Sequence, residues 1–276
     1  MSEKYLYAVI AADAVDEIKG TGINDAKIEP LVVDDIAAVV SGYRGASVRP
    51  QRRNIAAHQK VLKALLAVTT PLPISFGTIA EDTQAIRTVL QDSRQDLEEA
   101  LERVRGRVEM GLNARWDMAN IFEYFVNRHP SLQALRDTLY VSGREPPRER
   151  KLELGRLFSE LLEGDREQHT AQVEAVLQAY CVEIRRAAPR KEAEIMRLSY
   201  LVERDTQADF EAAGAFDDNY AFDFNGPWAP HSFVDVSIRL VPVDNSLIFI
   251  NFMNRQRAKR TDSLTNRFFL LSIRPV

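Results

Sequence analysis

The chain has 276 residues, 45% of them hydrophobic and 28% charged, with a formal net charge of -4. That composition belongs to a folded protein long enough for one large domain or two ordinary ones, and two is the expectation. It argues against a general nucleic-acid binder, whose affinity would come from neutralising phosphates. Apolar runs such as residues 36–40 and 247–250 are also far shorter than the roughly 18 to 20 residues that cross a bilayer.

The start, MSEKYLYAVI, moves from a charged residue straight into a strand-like run, without the apolar core and cleavage site of a secretory signal, so the expected location is the cytoplasm. Residues 5–10 read as a buried strand, and residues 28–33 and 36–43 as a hairpin turned at Asp34-Asp35. Residues 54–68 carry Val61, Leu62, Leu65 and Leu66 at helical spacing, and the helix ends before Pro71 and Pro73. Residues 71–79 predict a short strand closed by Gly77. Residues 82–104 predict one amphipathic helix, with Ile86, Leu90, Leu97 and Leu101 on one face and Arg94 on another. Separated helices covering one face of an antiparallel sheet make residues 1–105 a ferredoxin-like α+β domain with a rearranged order.

A second α+β domain is expected over residues 106–276. Residues 108–116 predict a strand, 117–128 and 132–139 helices, and 148–188 a very long helix bent or broken near Gly164. The single cysteine, Cys181, falls on the apolar face of that helix and reads as a buried structural thiol. Residues 194–203 predict a strand, 205–213 a helix capped by Asp205 or Thr206, and 220–224 a strand entering a stiff corner. In that corner, FNGPWAPHSFV, Pro227 and Pro230 prevent helix. Beyond Pro242, residues 247–253 and 268–273 are apolar and read as a hairpin in a C-terminal extension, 241–276, separated by a linker with Arg255, Arg257, Lys259 and Arg260.

Motifs of chemistry are scarce. His58, His129, His169 and His231 have no metal-binding spacing, and Asp165 with His169 reads as an ion pair on one helix face. Gly20-Thr21-Gly22 lacks the rest of a dinucleotide turn, and Ser75 in PISFGT is a strand residue, not a nucleophile elbow. The carboxylate pairs Glu98-Glu99 and Asp217-Asp218 read as a solvated face and a turn. The expectation is therefore no catalytic residue, no metal and no cofactor. The rival is a small-molecule-binding α+β enzyme whose groups converge only in three dimensions.

Four segments in order resemble the gas vesicle GvpL/GvpF family: YLYAVI at the start, HQKVLKALLAVTTPLPISFGTI from His58, RLSYLVERDTQADFEAA from Arg197, and FNGPWAPHSFV from Phe224. Where family members commonly carry a second proline after the tryptophan and then a tyrosine, this chain has Ala229 and His231. The resemblance implies an accessory, non-enzymatic protein of gas vesicles within the cytoplasm. It would act in assembly at the gas-facing side, with the main hydrophobic shell protein and other gas vesicle accessory proteins as partners. No nucleic acid, membrane or small-molecule substrate is implied. The aromatic residues Phe224, Trp228 and Phe233 at the corner, and Phe249, Phe252, Phe268 and Phe269 in the tail, are the candidate partner-binding surface.

Overall fold

The computed structural model describes residues 3–45, 47–140, 146–213, 220–240 and 248–251. The first antiparallel sheet is built on β1 (Lys4–Ala11), β2 (Ile28–Val33), β3 (Ile36–Gly42) and the short β4 (Leu72–Pro73), in the order β2-β3-β1-β4. The hairpin turns where the sequence predicts, with Asp34 at a φ of 51°, a conformation that short polar residues tolerate. Residues 71–79 do not form one strand. β4 and β5 (Ile79–Ala80) pair with opposite ends of β1, and Ser75 lies in the connection between them. The phenol oxygen of Tyr5 accepts from the backbone N–H of Gly77 at 3.0 Å, which holds that connection away from the ladder.

β1 shifts register between Leu6 and Ala8. Such a bulge inverts the alternation of a strand. Tyr5 and Tyr7 before it share a face with Ala8 and Ile10 after it, while Leu6 and Val9 face the other way. Both faces are therefore apolar, and both are covered. Helix α1 (Arg52–Val68) lays Val61, Leu62 and Leu65 on the tyrosine face. Helices α2 (Thr83–Asp92) and α3 (Arg94–Val104) lay Ile86, Leu90, Leu97 and Leu101 on the opposite face. The expectation of helices on one face gives way to helices on two, because β1 and β3 have no solvated side. The single helix expected over 82–104 divides at Ser93, where no Gly or Pro marks the break. Asp82 caps its start, accepting from the Ala85 N–H at 2.8 Å.

A second sheet begins with β6 (Arg107–Trp116), followed by α4 (Ile121–Arg128), α5 (Pro130–Tyr140) and α6 (Arg148–Leu177). Strands β7 (Glu183–Ala187), β8 (Glu194–Glu203) and β9 (Tyr220–Trp228) complete an antiparallel sheet ordered β7-β8-β6-β9, and α7 (Gln207–Ala213) sits between β8 and β9 in sequence. Val108, Met110, Leu112, Ala114 and Trp116 face one way from β6 into a core shared with Phe125, Phe158 and Leu177 of the helices.

α6 passes through Gly164 without a break, since that glycine is on the open side of the helix and its propensity cost of about 1 kcal/mol is offset by the packing of Phe158, Leu162 and Val173. The helix ends at Leu177 instead of 188, because residues 183–187 pair with β8 as an edge strand. Cys181 consequently lies in the turn after the helix, half-buried, with burial pushing its thiol up to about 11. At the start of α7, the Thr206 hydroxyl donates to the Glu203 carbonyl at 3.2 Å instead of accepting from the helix.

The layers around the two sheets interlock. Leu66 of α1 is buried in the core against β6 and β8, and Val234, beyond β9, is buried in the core against β1 and β3. Thr70 donates to the Arg107 carbonyl at 3.2 Å, and Arg204 to the Thr69 carbonyl at 3.2 Å. β10 (Ser237–Leu240) and β11 (Ile248–Asn251) pair antiparallel, and β10 lies against α2. Residues 248–251 thus pair with 237–240, and 268–273, their expected partner, lie outside the described residues.

Candidate functional site

The corner expected after residue 224 is itself strand. β9 continues through Gly226 and Pro227 to Trp228, which pairs with Glu109, and the register shifts between Glu109 and Gly111. Gly226 has a φ of 129° and precedes Pro227 through a cis peptide. A Cβ on Gly226 would stand 2.9 Å from the Glu109 carbonyl oxygen, and one on Gly111 would stand 2.4 Å from Asn225 Oδ1. Gly226 lets the two backbones close here, and Gly111 leaves room for the Asn225 side chain. Asn225 Oδ1 in turn accepts from Trp228 Nε1 at 3.0 Å. The indole is aimed outward by this bond and is 45% exposed.

The chain then reverses and covers the polar face of the second sheet. Ala229, Phe233 and Val234 are buried. Glu109 lies between Val108 and Met110 on β6 and so faces away from their core, toward this cover. Its carboxylate accepts from the Ser232 N–H at 2.7 Å and from the Ser232 hydroxyl at 2.6 Å. Burial pushes the Glu109 carboxyl above its ordinary value, while the Ser232 donors and the Arg185 charge pull it back down. Arg185 of β7 donates to the Ser232 carbonyl at 2.6 Å and holds Asp235 through two bonds of 2.8 and 2.6 Å. Its guanidinium carbon lies 5.3 Å from the centre of the Phe233 ring, a cation–π geometry. Arg185 also donates to Glu183, which α3 reaches through Arg103. Residues 231–235 are thereby clamped to the sheet and, through Glu183, to α3.

Beside the clamp, His231 is pushed down to about 4 by burial. His58 of α1 is likewise pushed down to about 4, by burial first and then by the charge of His231 across the seam. His58 Nδ1 is 2.9 Å from the Tyr5 hydroxyl and its ring stacks on Tyr7, so this histidine is a neutral core group.

An apolar groove of about 350 Å³ runs between α6 and β9, lined by His169, Val173, Val176, Met196, Tyr220 and Phe222. The expected Asp165–His169 pair is not a direct contact: His169 Nε2 lies 3.1 Å from the Tyr220 hydroxyl, and Asp165 Oδ2 is buried without a hydrogen-bond partner, while the Asp165 charge still acts on His169. A more polar cleft of about 590 Å³ lies at the ends of α1 and β8, lined by Asp13, Glu17, Thr70, Arg105, Arg204 and Asp205 among others. Among the described residues its lining has no Ser, Cys or His, and Arg105 is paired with Asp13 and Glu102. Among the described residues no group of three His, Cys, Asp or Glu could hold a metal ion, and no helix is long and apolar enough to cross a membrane.

Of the aromatic candidates, Trp228 is exposed, Phe224 is half-buried against Phe210 of α7, and Phe233 is buried beneath the clamp. Phe249 pairs with Arg239 in the β10–β11 ladder. Phe252, Phe268 and Phe269 lie outside the described residues, as do the basic residues 255–260. Glu109, Arg185, Ser232 and Asp235 were not singled out from sequence. The one local signal was Glu109 itself, a charge placed at the alternate position of the apolar run VEMGL.

The family described as gas vesicle synthesis protein GvpL/GvpF has a model that matches residues 3–235. Gas vesicle protein F of Streptomyces sp. (strain CB03234) is 29% identical over 224 residues, covering 80% of this chain and 93% of that protein. Gas vesicle protein F2 of Halobacterium salinarum is 26% identical, covering 86% and 94%. The crystal structure of GvpF from Anabaena sp. PCC7120 superposes with a TM-score of 0.75 at 22% identity, over 86% of this chain and 100% of that one, which shows a shared fold.

Proposed function

The chain belongs to the GvpL/GvpF family of gas vesicle synthesis proteins, and from that premise we propose that it acts in gas vesicle assembly by holding the main hydrophobic shell protein on the outer edge of β9. The carrying observation is Trp228: a large indole, 45% exposed, on a bulged edge strand whose base is clamped from below. A strand edge accepts another chain through main-chain hydrogen bonds, while neighbouring side chains select the partner. Among the described residues β9 has β6 as its single neighbour in the sheet. The groove beside it supplies apolar surface, with Val176 at its rim 47% exposed.

On this reading Phe224 and Phe233 act differently from Trp228. They anchor the strand from within, whereas the indole meets the partner. By composition the tail from 241 onward, with Phe249, Phe252, Phe268 and Phe269, brings further apolar residues to the same partner. Location follows from the partner: the gas vesicle, on its gas-facing side, together with other gas vesicle proteins. No bond is made or broken in this role.

The test is co-purification with the main shell protein. Trp228→Ser in a folded protein should weaken capture, and deletion of residues 241–276 should weaken it further. Capture left intact by both changes together removes β9 and the tail as the binding surface.

A further inference from the structure

The two helical layers on the first sheet differ in charge. Between Asp35 and Glu81 the sequence has no acidic residue, yet it carries Arg44, Arg49, Arg52, Arg53, Lys60 and Lys63. All six are exposed. Among the described residues, none has a carboxylate within ion-pair distance. The opposite layer behaves otherwise: Arg94 of α3 binds Asp34, Asp35 and Glu98 at 2.6, 3.1 and 2.6 Å. In a chain of net charge -4, an acid-free stretch with unpaired cations is a local reversal of sign.

The cations of α1 share one side. At helical spacing, Arg52, Arg53, Lys60 and Lys63 fall on the arc opposite Val61 and Leu65, which are buried against the sheet. Small residues stand between the charges, since Ala56, Ala64 and Ala67 are exposed on the same arc. Ile55 and Val68 are 41% and 39% exposed.

We infer that the outer face of α1 docks an acidic helical segment of a partner protein. Four cations over a helix of 17 residues, about 25 Å long, match carboxylates repeating every third or fourth position on a helix of similar length. The alanines permit close approach of the two backbones, and Ile55 and Val68 bring apolar contact. A lipid surface is the poorer fit, because a helix that lies in an interface buries its apolar face in lipid, and here that face is already spent on the protein core. A nucleic acid is also the poorer fit, because the exposed arc of α1 offers no aromatic ring on which a base could stack.

The experiment uses the full chain and a fluorescent helical peptide of about 18 residues with glutamate on one face, with its glutamine-substituted analogue as control. Binding is read by anisotropy across a salt series. The acidic peptide should bind, weaken with salt, and bind about tenfold tighter than the glutamine analogue. Reversing Arg52, Arg53, Lys60 and Lys63 to glutamate should weaken it by about tenfold or more. Reversing four exposed cations elsewhere, Arg148, Arg156, Arg190 and Lys191, should leave it within about twofold. The peptide comparison on the unmodified protein stands even if a charge-reversed chain folds poorly. The inference is overturned by no binding of the acidic peptide, by equal binding of its glutamine analogue, or by equal loss in both variants. It is also overturned if a 20-nucleotide RNA or phosphatidylserine vesicles bind this face more tightly than the peptide.

Discussion

The two halves of the segment 224–235 carry similar residues and end in opposite environments. From Phe224 to Trp228 the chain is an edge strand with its tryptophan in solvent. From Ala229 to Asp235 it is a lid with its phenylalanine buried and its backbone bonded to Glu109 and Arg185. The difference is not one of hydrophobicity, since both halves hold a large aromatic. It lies in what arrives opposite: a guanidinium and a buried carboxylate meet the second half, whereas the Trp228 indole is 45% exposed and its nitrogen donates to the neighbouring Asn225. A rigid base and a free tip are thus built from one short stretch.

The largest effect should come from emptying the base. Phe233→Ala removes a fully buried ring and is expected to cost about 3–5 kcal/mol in urea unfolding. A value near zero would mean the lid does not anchor the tip. Glu109→Ala leaves the Ser232 N–H without its acceptor, and the expected loss is about 2–3 kcal/mol. Gly226→Ala places a Cβ 2.9 Å from the Glu109 carbonyl oxygen at a φ of 129°, and about 2 kcal/mol of backbone strain is expected.

Acid should weaken the same seam. His58 and His231 are depressed to about 4 in the fold, against about 6.5 when unfolded. The unfolded chain therefore takes up these protons first as pH falls, and stability declines between about 6.5 and 4. For the fully buried His58 the loss amounts to at most ~3 kcal/mol. Glu109 works in the opposite sense, since its raised carboxyl binds a proton more readily in the fold and relieves part of the loss. Unfolding midpoints followed from pH 7 to 4 check this, and His58→Phe should reduce the decline. The smallest effect on stability is expected at the tip: Trp228→Ala should stay within about 0.5 kcal/mol while weakening capture of the shell protein. A large destabilisation there would collapse the distinction between base and tip.

Much of the fold was legible in the chain. The turn at Asp34-Asp35, the stripe of α1, the apolar alternation of β6 and the α+β class follow from periods of 2 and 3.6 residues, and these are local properties. The four segments headed by YLYAVI and closed by FNGPWAPHSFV were enough to point to the family. Three things needed the tertiary structure. Residues 183–187 became strand because β8 offered them a partner, although their pattern continues that of α6. The bulge in β1 turned Ala8 and Ile10 onto the tyrosine face, so that helices were needed on both sides of the sheet. Phe233 was buried and Trp228 exposed because Glu109 and Arg185, far away in sequence, converge on one side of the corner and leave the other side open.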